Sequence, residues 1–574
     1  MYKNYTIDQL VLPLDLEKTL PENDIAYSVH HLVESIPEEA FELLKHHRGA
    51  SSYHPRMMLK IILCAYTQSV FSGRKIEALL QDSIRMMWLA QGYQPSYRTI
   101  NRFRVDKAVQ PLLQECFVQF RSQLITENEI DEEAIFIDGT KIEANANKFT
   151  FVWRKSVERH HRNLEEKSLA AYHELVEEKI IPALHTEIEE NLSKENIRTI
   201  LTSLEQTIDE FNQKMTDEPC GSARKELRSE RKIPKLFYKH FSSHQERVLA
   251  YEKHYQILGK RNSYSKTDTD ATFMRMKDDY MMNGQLKAGY NLQIATNNQY
   301  ILGYDIFSNP TDTRTLTPFL STLEKEYFPL PKFIVADAGY GSEENYMTIL
   351  EKFQATPLIT YGMYEKEQKK KYKNNPFQIS NWDYDELSNQ FTCPEGRKLS
   401  FRYNGIRNDK YGFKRQISYY ECEDCSNCPV RSLCTKARDG VNRRIQKNWT
   451  WESYKTVVKK LLQEKETQKI YSRRKIDVET AFGHLKAILG FTRLSVRGTE
   501  KVKNELGFAL MATNLRKYNL KFVTQKEKQN KKSRTKSFFR FLCVIFLFKN
   551  LYVPGPFFIG LFCCIRRNID CFPS

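Results

Sequence analysis

Two short apolar runs, each ending in an aspartate, constrain the fold of this chain more than any other feature. Residues 134–137 (AIFI) lead into Asp138 and residues 333–336 (FIVA) lead into Asp337, each with a glycine within the next two positions. Such runs are typical of strands buried on both faces. The sequence therefore predicts an α/β fold with a carboxylate at the end of two strands. An aspartate there also suits a turn or a helix cap, so either motif alone has a purely structural interpretation.

A third acid lies in residues 471–518, which read as a long helix, a basic turn and a second amphipathic helix. Glu479 and Lys486 are seven residues apart, which is two helical turns, and share one face. Apolar residues at helical spacing are expected to face a core on a neighbouring face: Phe482, Leu485, Ile488 and Leu489. The alternative is a surface glutamate on a basic helix.

The order Asp138, Asp337, Glu479 resembles the acidic triad of the RNase H-like DDE transposases of bacterial insertion sequences. Other segments are similar to that family and extend the resemblance over most of residues 45–520: DGTKIEANANK, YNLQIATNNQ, SNPTDT, ADAGYGSEEN, DVETAFGHLK and GFTRLSVRG. The branch it resembles has an N-terminal helical domain and a Cys-rich insertion before the catalytic glutamate.

The resemblance implies an α/β fold: an RNase H-like mixed sheet with helices, an N-terminal all-α domain, a helical insertion and a small metal-ribbon insertion. The expected domains are an N-terminal segment at 1–44, a helix-turn-helix-like DNA-binding domain at 45–125, a catalytic domain at 130–365 and 466–520, a helical or coiled-coil insertion at 153–260, a Cys-rich insertion at 366–465, and a basic linker with an apolar tail at 521–574.

The resemblance also implies the activity. Asp138, Asp337 and Glu479 would hold two Mg²⁺ or Mn²⁺ ions for in-line phosphoryl transfer on DNA. Such transposases hydrolyse the strand at the element end and use the freed 3′-hydroxyl to attack target DNA. Two alternatives stay open: a nuclease of the same fold that only cleaves, and a metal-stabilised DNA-binding protein without catalysis.

Basic residues are the expected DNA contacts. The family signature around the glutamate is a Tyr, an Arg and a Lys, and here Lys486 keeps its place, Lys475 stands where Arg is usual, and Tyr471 comes one residue early. Arg474 is the candidate to replace the missing bidentate contact. The full set of expected DNA-binding residues is Arg98, Arg102, Arg473, Arg474, Lys475, Lys486, Arg493 and Arg497.

The composition agrees with a polyanionic partner. The chain has 88 Lys and Arg against 71 Asp and Glu, a formal charge of +17, with 31 Tyr and 34 Phe interleaved. We expect double-stranded DNA, both element ends and target, bound by a homodimer without a small-molecule cofactor. No secretory pattern follows Met1, so a cytoplasmic, nucleoid-associated protein is expected.

Helical patterns fill the N-terminal part of the chain and the first insertion. Ser96 is predicted to cap a short helix carrying Arg98, Arg102 and Arg104, which is a helix-turn-helix-like signal; a plain helical bundle with solvated arginines is the alternative. In the insertion, one seam indicates a helical hairpin, with a dimerising coiled coil as the rival: Ile197, Leu201, Leu204, Ile208 and Phe211.

Four cysteines are closely spaced before the glutamate helix: Cys422, Cys425, Cys428 and Cys434. In a reducing compartment this spacing predicts one structural Zn²⁺, which would stabilise a loop-rich insertion. An iron–sulfur cluster is the rival, because C-x2-C-x2-C also suits a cubane. Cys393 is a possible replacement ligand.

After about residue 520 the sequence changes to a Lys-rich linker and an apolar, Cys-rich tail. A Pro-Gly-Pro break and two basic residues argue against one continuous membrane helix. We expect this tail to be disordered and dispensable, with a membrane anchor as the alternative.

Overall fold

The computed structural model describes residues 20–45, 52–184, 192–276 and 284–521 of the 574-residue chain. The expectations for the linker and tail at 521–574 lie outside these ranges, apart from residue 521, as do residues 1–19 of the expected N-terminal segment. In the part of the chain that is described, no helix is both long and apolar enough to cross a membrane.

Helices precede the sheet. They are α1 (Ile25–Glu34), a 3₁₀ segment (Glu38–Leu44), α2 (Pro55–Thr67), α3 (Gly73–Asp82), α4 (Ile84–Ala90), α5 (Tyr97–Arg104) and α6 (Val109–Thr126). Ser96 caps α5 as predicted, since its side chain accepts the Thr99 N–H. Arg98 and Arg102 are exposed on α5, whereas Ile100 is buried.

A six-stranded mixed sheet forms the centre of the molecule, and the fold is mixed α/β as predicted. Its strands run in the order β4-β5-β1-β7-β8, and β6 also pairs with β5. β1 is parallel to β7 and antiparallel to β5. The strands in chain order, including the separate pair β2–β3, are β1 (Ala134–Glu143), β2 (Phe151–Trp153), β3 (Ser263–Ser265), β4 (Thr272–Arg275), β5 (Leu286–Asn297), β6 (Tyr300–Phe307), β7 (Phe333–Ala336) and β8 (Thr356–Ile359).

The first strand does not end at Asp138, as the apolar run suggested. Its pairing with β7 stops at Ile137, but β5 continues to pair with it as far as Glu143. The long partner strand therefore extends β1 past its apolar part, and Asp138 lies within the strand.

A two-residue turn joins β5 to β6. Asn298 and Gln299 have positive φ angles of 48° and 64°, the pattern of a two-residue type I′ turn. The Gln299 N–H donates to the buried Asp477 carboxylate at 2.8 Å. This contact ties the turn to the helix that carries Glu479.

The segment expected to be the first insertion is a group of helices with its own apolar cluster. Its helices are α7 (Arg154–Glu177), α8 (Lys194–Asp217), α9 (Gly221–Glu230) and α10 (Lys232–Leu258). Ile197 and Leu204 of the predicted seam are buried, packed in one cluster with Phe237 and Phe241 of α10. The seam thus packs within the chain, against a neighbouring helix.

Helices also join the later strands. They are α11 (Leu316–Glu326) after a 3₁₀ turn (Asp312–Arg314), α12 (Glu343–Met347) with a following π turn (Thr348–Lys352), and α13 (Tyr364–Glu367) and α14 (Lys370–Lys373) after β8. Because β1, β7 and β8 are parallel, they all run in the same direction, towards the loops after Ala336 and Ile359.

A second, antiparallel sheet follows, in the order β13-β12-β11-β10-β9. Its elements are β9 (Asp383–Asp385), β10 (Gln390–Thr392), β11 (Lys398–Asn408), β12 (Lys414–Cys422), the short helix α15 (Arg431–Cys434) and β13 (Arg444–Lys447). It has a small apolar cluster of its own around Phe391 and Tyr420.

The chain ends, as far as it is described, with α16 (Trp449–Gln463), α17 (Lys465–Gly483), a π turn (His484–Ile488) and α18, residues 499–521. α17 packs against β1, β5, β6 and β7. Leu485 and Leu489 are buried as expected, but Ile488 is 49% exposed. The π turn accounts for this, because its wider repeat shifts the phase of the apolar face.

One apolar core joins the N-terminal helices, the central sheet and α18. Arg104 is part of this connection: it is buried and forms an ion pair with Glu505 at 2.9 Å. The role of Arg104 on the predicted basic helix is therefore structural, because the buried ion pair keeps its side chain away from the surface.

Candidate active site

Asp138 is fixed within a paired strand. Its carboxylate is 8% exposed and accepts the N–H of Gly139 at 2.7 Å. At this level β1 is paired with β5, and its pairing with β7 ends one residue earlier.

Asp337 follows the last residue of β7. In the parallel ladder between β1 and β7, Ile137 is in register with Ala336. Asp138 and Asp337 are the residues that follow these two, so the aspartates lie at matching levels of neighbouring strands. Asp337 is half-buried and accepts the N–H of Gly339 at 2.8 Å. The structure thus brings these two predicted residues together.

A third carboxylate, Asp312, lies beside them and was not singled out from the sequence. Burial raises the pKa of the Tyr340 hydroxyl well above its usual range, and Asp312, Asp138 and Asp337 raise it further, in that order. The Tyr340 hydroxyl therefore lies in the field of all three carboxylates and stays neutral, donating a hydrogen bond to Gln293.

Two fully buried amides on β5 connect these groups. Asn291 Nδ2 donates to Asp312 at 2.7 Å. Gln293 Nε2 donates to Asn291 Oδ1 at 2.9 Å and to Asp312 at 3.2 Å. A hydrogen-bonded relay therefore runs from Asp312 through β5 to Tyr340, three residues after Asp337.

The relay passes over Gly139, which explains the glycine. Gly139 is in register with Gln293, and a Cβ at Gly139 would come within 2.2 Å of Gln293 Nε2 and 2.9 Å of Asp312 Oδ1. Only a residue without a side chain leaves room for these contacts. The sequence signal for this network was weak: two polar residues at alternate positions of the strand YNLQIATNNQ and one acid in SNPTDT.

The place of Glu479 is set by α17, which packs against β1, β5, β6 and β7. It lies on the exposed face of α17, two residues after Asp477, which is bound to the β5–β6 turn. That turn adjoins the start of β1, because Asn297 Nδ2 donates to the Ala134 carbonyl at 2.8 Å. Asp138 is four residues further along β1, about 13 Å at the usual strand rise.

The cysteines line one small cavity. Cys393 lies there together with all four residues of the predicted cluster: Cys422, Cys425, Cys428 and Cys434. Burial, and then the neighbouring Cys425, raise the pKa of Cys422 to about 12. Arg443 NH1 donates to Cys434 Sγ at 2.7 Å.

Within the described ranges, no three carboxylate, thiol or imidazole side chains stand close enough together to hold a metal ion. The two candidate sets of donors differ in chemistry: carboxylate oxygens lie at the central sheet, and thiols line the small cavity.

Some predicted DNA-binding residues lie at the end of the sheet where the aspartates are. Arg493 is 3.7 Å from Glu143, the last residue of β1, and Arg497 donates to the Asn145 carbonyl at 2.8 Å. The GFTRLSVRG segment therefore follows β1 past Asp138 and places cations beyond it.

The remaining predicted cations lie on α17, the turn after it, and α5. Arg473 pairs with Asp131 at 3.0 Å and stacks over Phe136. Their exposures differ: Lys475, Arg98 and Arg102 are exposed, whereas Arg474 and Lys486 are half-buried.

Two family models match the chain. The one described as Transposase DDE domain covers residues 392–519, which include the cysteine cluster and Glu479. The one described as Transposase domain (DUF772) covers residues 14–106, which include α1 to α5. Asp138 and Asp337 lie outside both. No curated protein and no solved structure matches the chain.

Proteins with a DDE domain process DNA and generally use divalent metal ions. Each of the two matches, one towards either end of the chain, is to a transposase domain. The two matches support a DDE-type insertion-sequence transposase, the family that the motifs of the chain resemble.

Proposed function

We propose that this protein cleaves DNA strands at the ends of its insertion element and transfers them into target DNA. The observation that carries the proposal is the placement of Asp138 and Asp337 at matching levels of neighbouring parallel strands. Two carboxylates held this way offer oxygen donors at a fixed edge of the sheet.

Asp138 and Asp337 would hold the Mg²⁺ or Mn²⁺ ions. The pair fits, because magnesium in proteins is often bound by one or two carboxylates together with substrate phosphates. When bound, two such ions supply charge stabilisation for the attacking and the leaving oxygen. The Gly139 and Gly339 N–H groups each fix one carboxylate oxygen in place, so the donors are oriented before DNA arrives.

Two phosphoryl transfers follow. In the first, a water oxygen bonds to phosphorus at the element end, the bond from phosphorus to the 3′-oxygen breaks, and the leaving oxygen takes up a proton. In the second, the freed 3′-hydroxyl oxygen loses its proton and bonds to a target phosphorus, releasing a target 3′-hydroxyl. A nuclease would stop after the first step, so strand transfer separates the proposal from that alternative.

The third carboxylate has two candidates. The family resemblance assigns it to Glu479, on the exposed face of α17. The structure favours Asp312 as a group already beside them, through its influence on Tyr340. Glu479→Gln and Asp312→Asn distinguish the two, because the variant that removes the third ligand loses cleavage most.

The cations around the site would hold phosphates. Arg493 and Arg497 lie beyond Asp138, and Arg473, Arg474, Lys475 and Lys486 lie on α17 and the turn after it. Arg98 and Arg102 on α5 are proposed to bind the element end. Since phosphate contacts position the DNA and carboxylates serve the chemistry, the two sets should separate in mutants.

The cysteine cavity is proposed to hold one structural Zn²⁺, with four of its five thiols as ligands. Elemental analysis of the purified protein should find about one zinc, lost in Cys422→Ser and Cys425→Ser. Cys220→Ser, at an exposed thiol on another part of the chain, is the matched control and should keep the metal. If the analysis finds iron and the protein absorbs visible light, the cavity holds an iron–sulfur cluster and not zinc.

The finer organisation is proposed from the same resemblance. The central sheet would be RNase H-like, with the helical DNA-binding domain at 45–125 and insertions at 153–260 and 366–465. We propose a homodimer in the DNA complex and a cytoplasmic, nucleoid-associated location.

The direct test is cleavage of a labelled duplex that carries the element's terminal repeat. Asp138→Asn and Asp337→Asn should abolish cleavage with Mg²⁺ and leave binding nearly intact. Asp217→Asn, an exposed acid on α8, is the control and should cleave normally. Normal cleavage by either active-site variant would remove the assignment.

A further inference from the structure

The β11–β12 hairpin reaches from the cysteine cavity to the candidate active site. Two ion pairs hold it there: Arg314 with Asp409 at 2.7 Å, and Arg415 with the buried Glu343 at 3.3 Å. Arg314 is two residues after Asp312, and Glu343 is six residues after Asp337. The tip of the hairpin is therefore fixed to the segments that follow Asp312 and Asp337.

Asp409, the one acid of the hairpin tip, takes part in this attachment. Burial opposes ionisation of Asp409, but the Tyr411 and Phe413 N–H groups and Arg314 lower its pKa to about 2. Arg314 also stacks over the Tyr411 ring at 3.3 Å. The acid is thus charged and satisfied from within the protein.

The rest of the tip is basic and exposed. Residues 401–416 contain five Lys and Arg and this single acid. Arg407, Lys410 and Lys414 are exposed, and Ile406 is 75% exposed. Tyr403 is 57% exposed and stacks on Tyr419 across the hairpin at 4.7 Å.

The apolar cluster of this small sheet does not extend to the tip. Its members on the two strands, counting the partly buried Phe401, are Leu399, Phe401, Tyr420 and Cys422. The part of β11 beyond it, residues 402–408, spans about 23 Å at the usual rise. A two-stranded ribbon of this kind fits the major groove of B-DNA.

We propose that the outer surface of the β11–β12 hairpin binds the DNA duplex next to the strand being cleaved. Arg407, Lys410 and Lys414 contact phosphates, and Ile406, which shares one face of the ribbon with Lys414, faces the groove. The inference rests on the proposed function, since it uses the same DNA substrate. The hairpin positions the DNA and takes no part in the chemistry.

Salt-dependent binding to a duplex tests the three cations together. Replacing Arg407, Lys410 and Lys414 by Gln should lower the slope of log affinity against log salt by about 2 to 3, because each phosphate contact contributes about 0.9. Arg407→Lys alone should keep the slope. The matched control replaces Lys325, Lys332 and Lys352 by Gln, which are exposed near the opposite end of the parallel strands, and should also keep it.

Photocrosslinking locates the contact. A benzophenone amino acid at Ile406 should crosslink to nucleotides within a few positions of the cleavage site, whereas one at the exposed Glu210 of α8 should not. An unchanged slope in the triple variant, or no crosslink at residue 406, overturns the hairpin inference. A lowered slope in the triple variant and a DNA crosslink at residue 406, in a protein that never cleaves element ends, would overturn the proposed function while supporting DNA binding by the hairpin.

Discussion

Gly139→Ala tests the relay beside the aspartates. The added Cβ would lie 2.2 Å from Gln293 Nε2 and 2.9 Å from Asp312 Oδ1. Gln293 is fully buried, so it must leave its place within a packed core. Overpacking of a core costs about 1–3 kcal/mol, and a buried amide that loses its partners costs about 1–3 kcal/mol more. We therefore expect a loss of about 2–5 kcal/mol in local stability.

Hydrogen exchange of peptides that span β1 and β5 measures this loss. A change of 2–5 kcal/mol corresponds to exchange faster by about thirtyfold to several thousandfold. Gly483→Ala on α17 is the control, because its added methyl meets nothing within 4 Å among the described residues. Exchange in that variant should not increase.

A double-mutant cycle with Gln293→Ala separates the clash from general damage. Removing the Gln293 amide clears the space that a methyl group at position 139 needs, so the double variant should be more stable than the sum of the single effects by about 1–2 kcal/mol. Additive effects, or wild-type exchange in Gly139→Ala, would refute the packing described for Gly139.

Two further predictions concern the framework of the fold. Arg104→Ala should cost about 3–5 kcal/mol in the local stability of α5 and α18, because it leaves the buried Glu505 carboxylate without its cation; Lys107→Ala, from an exposed pair with Glu500, should have little effect in the same hydrogen-exchange measurement. Burial lowers the pKa of Lys517 from 10.5 to about 8, so the charged form of Lys517 destabilises the folded state. Between about pH 8 and about pH 10.5 the lysine loses its proton in the folded state but keeps it in the unfolded state. The stability of wild type should therefore rise relative to that of Lys517→Met as the pH increases over this range. Parallel thermal-midpoint curves for wild type and Lys517→Met across that pH range would contradict the second prediction.

Local patterns identified the strands, turns and helices that carry the site. The apolar runs before Asp138 and Asp337 are buried strands, and their parallel register brings the two acids together. The cap at Ser96 also follows from short-range hydrogen bonding. These features depend on a few neighbouring residues, so the sequence contains them.

Contacts between distant residues were not readable in this way. Arg104 looked like a surface cation, but its partner Glu505 is 401 residues away. The helix of Glu479 was predicted, yet where that acid lies depends on how α17 crosses the sheet. The role of Asp312 is visible only in the structure, where Asn291 and Gln293 of β5 donate hydrogen bonds to its carboxylate.

The most direct test of the central claim is a change of metal specificity at the two aspartates. Asp138→Cys and Asp337→Cys replace an oxygen donor by sulfur, which binds Mg²⁺ poorly and accepts softer ions. Cleavage of terminal-repeat DNA by each variant should be lost with Mg²⁺ and partly restored with Mn²⁺, whereas wild type cleaves with both. Full activity of either variant with Mg²⁺ would show that the aspartate it replaces does not hold the ions.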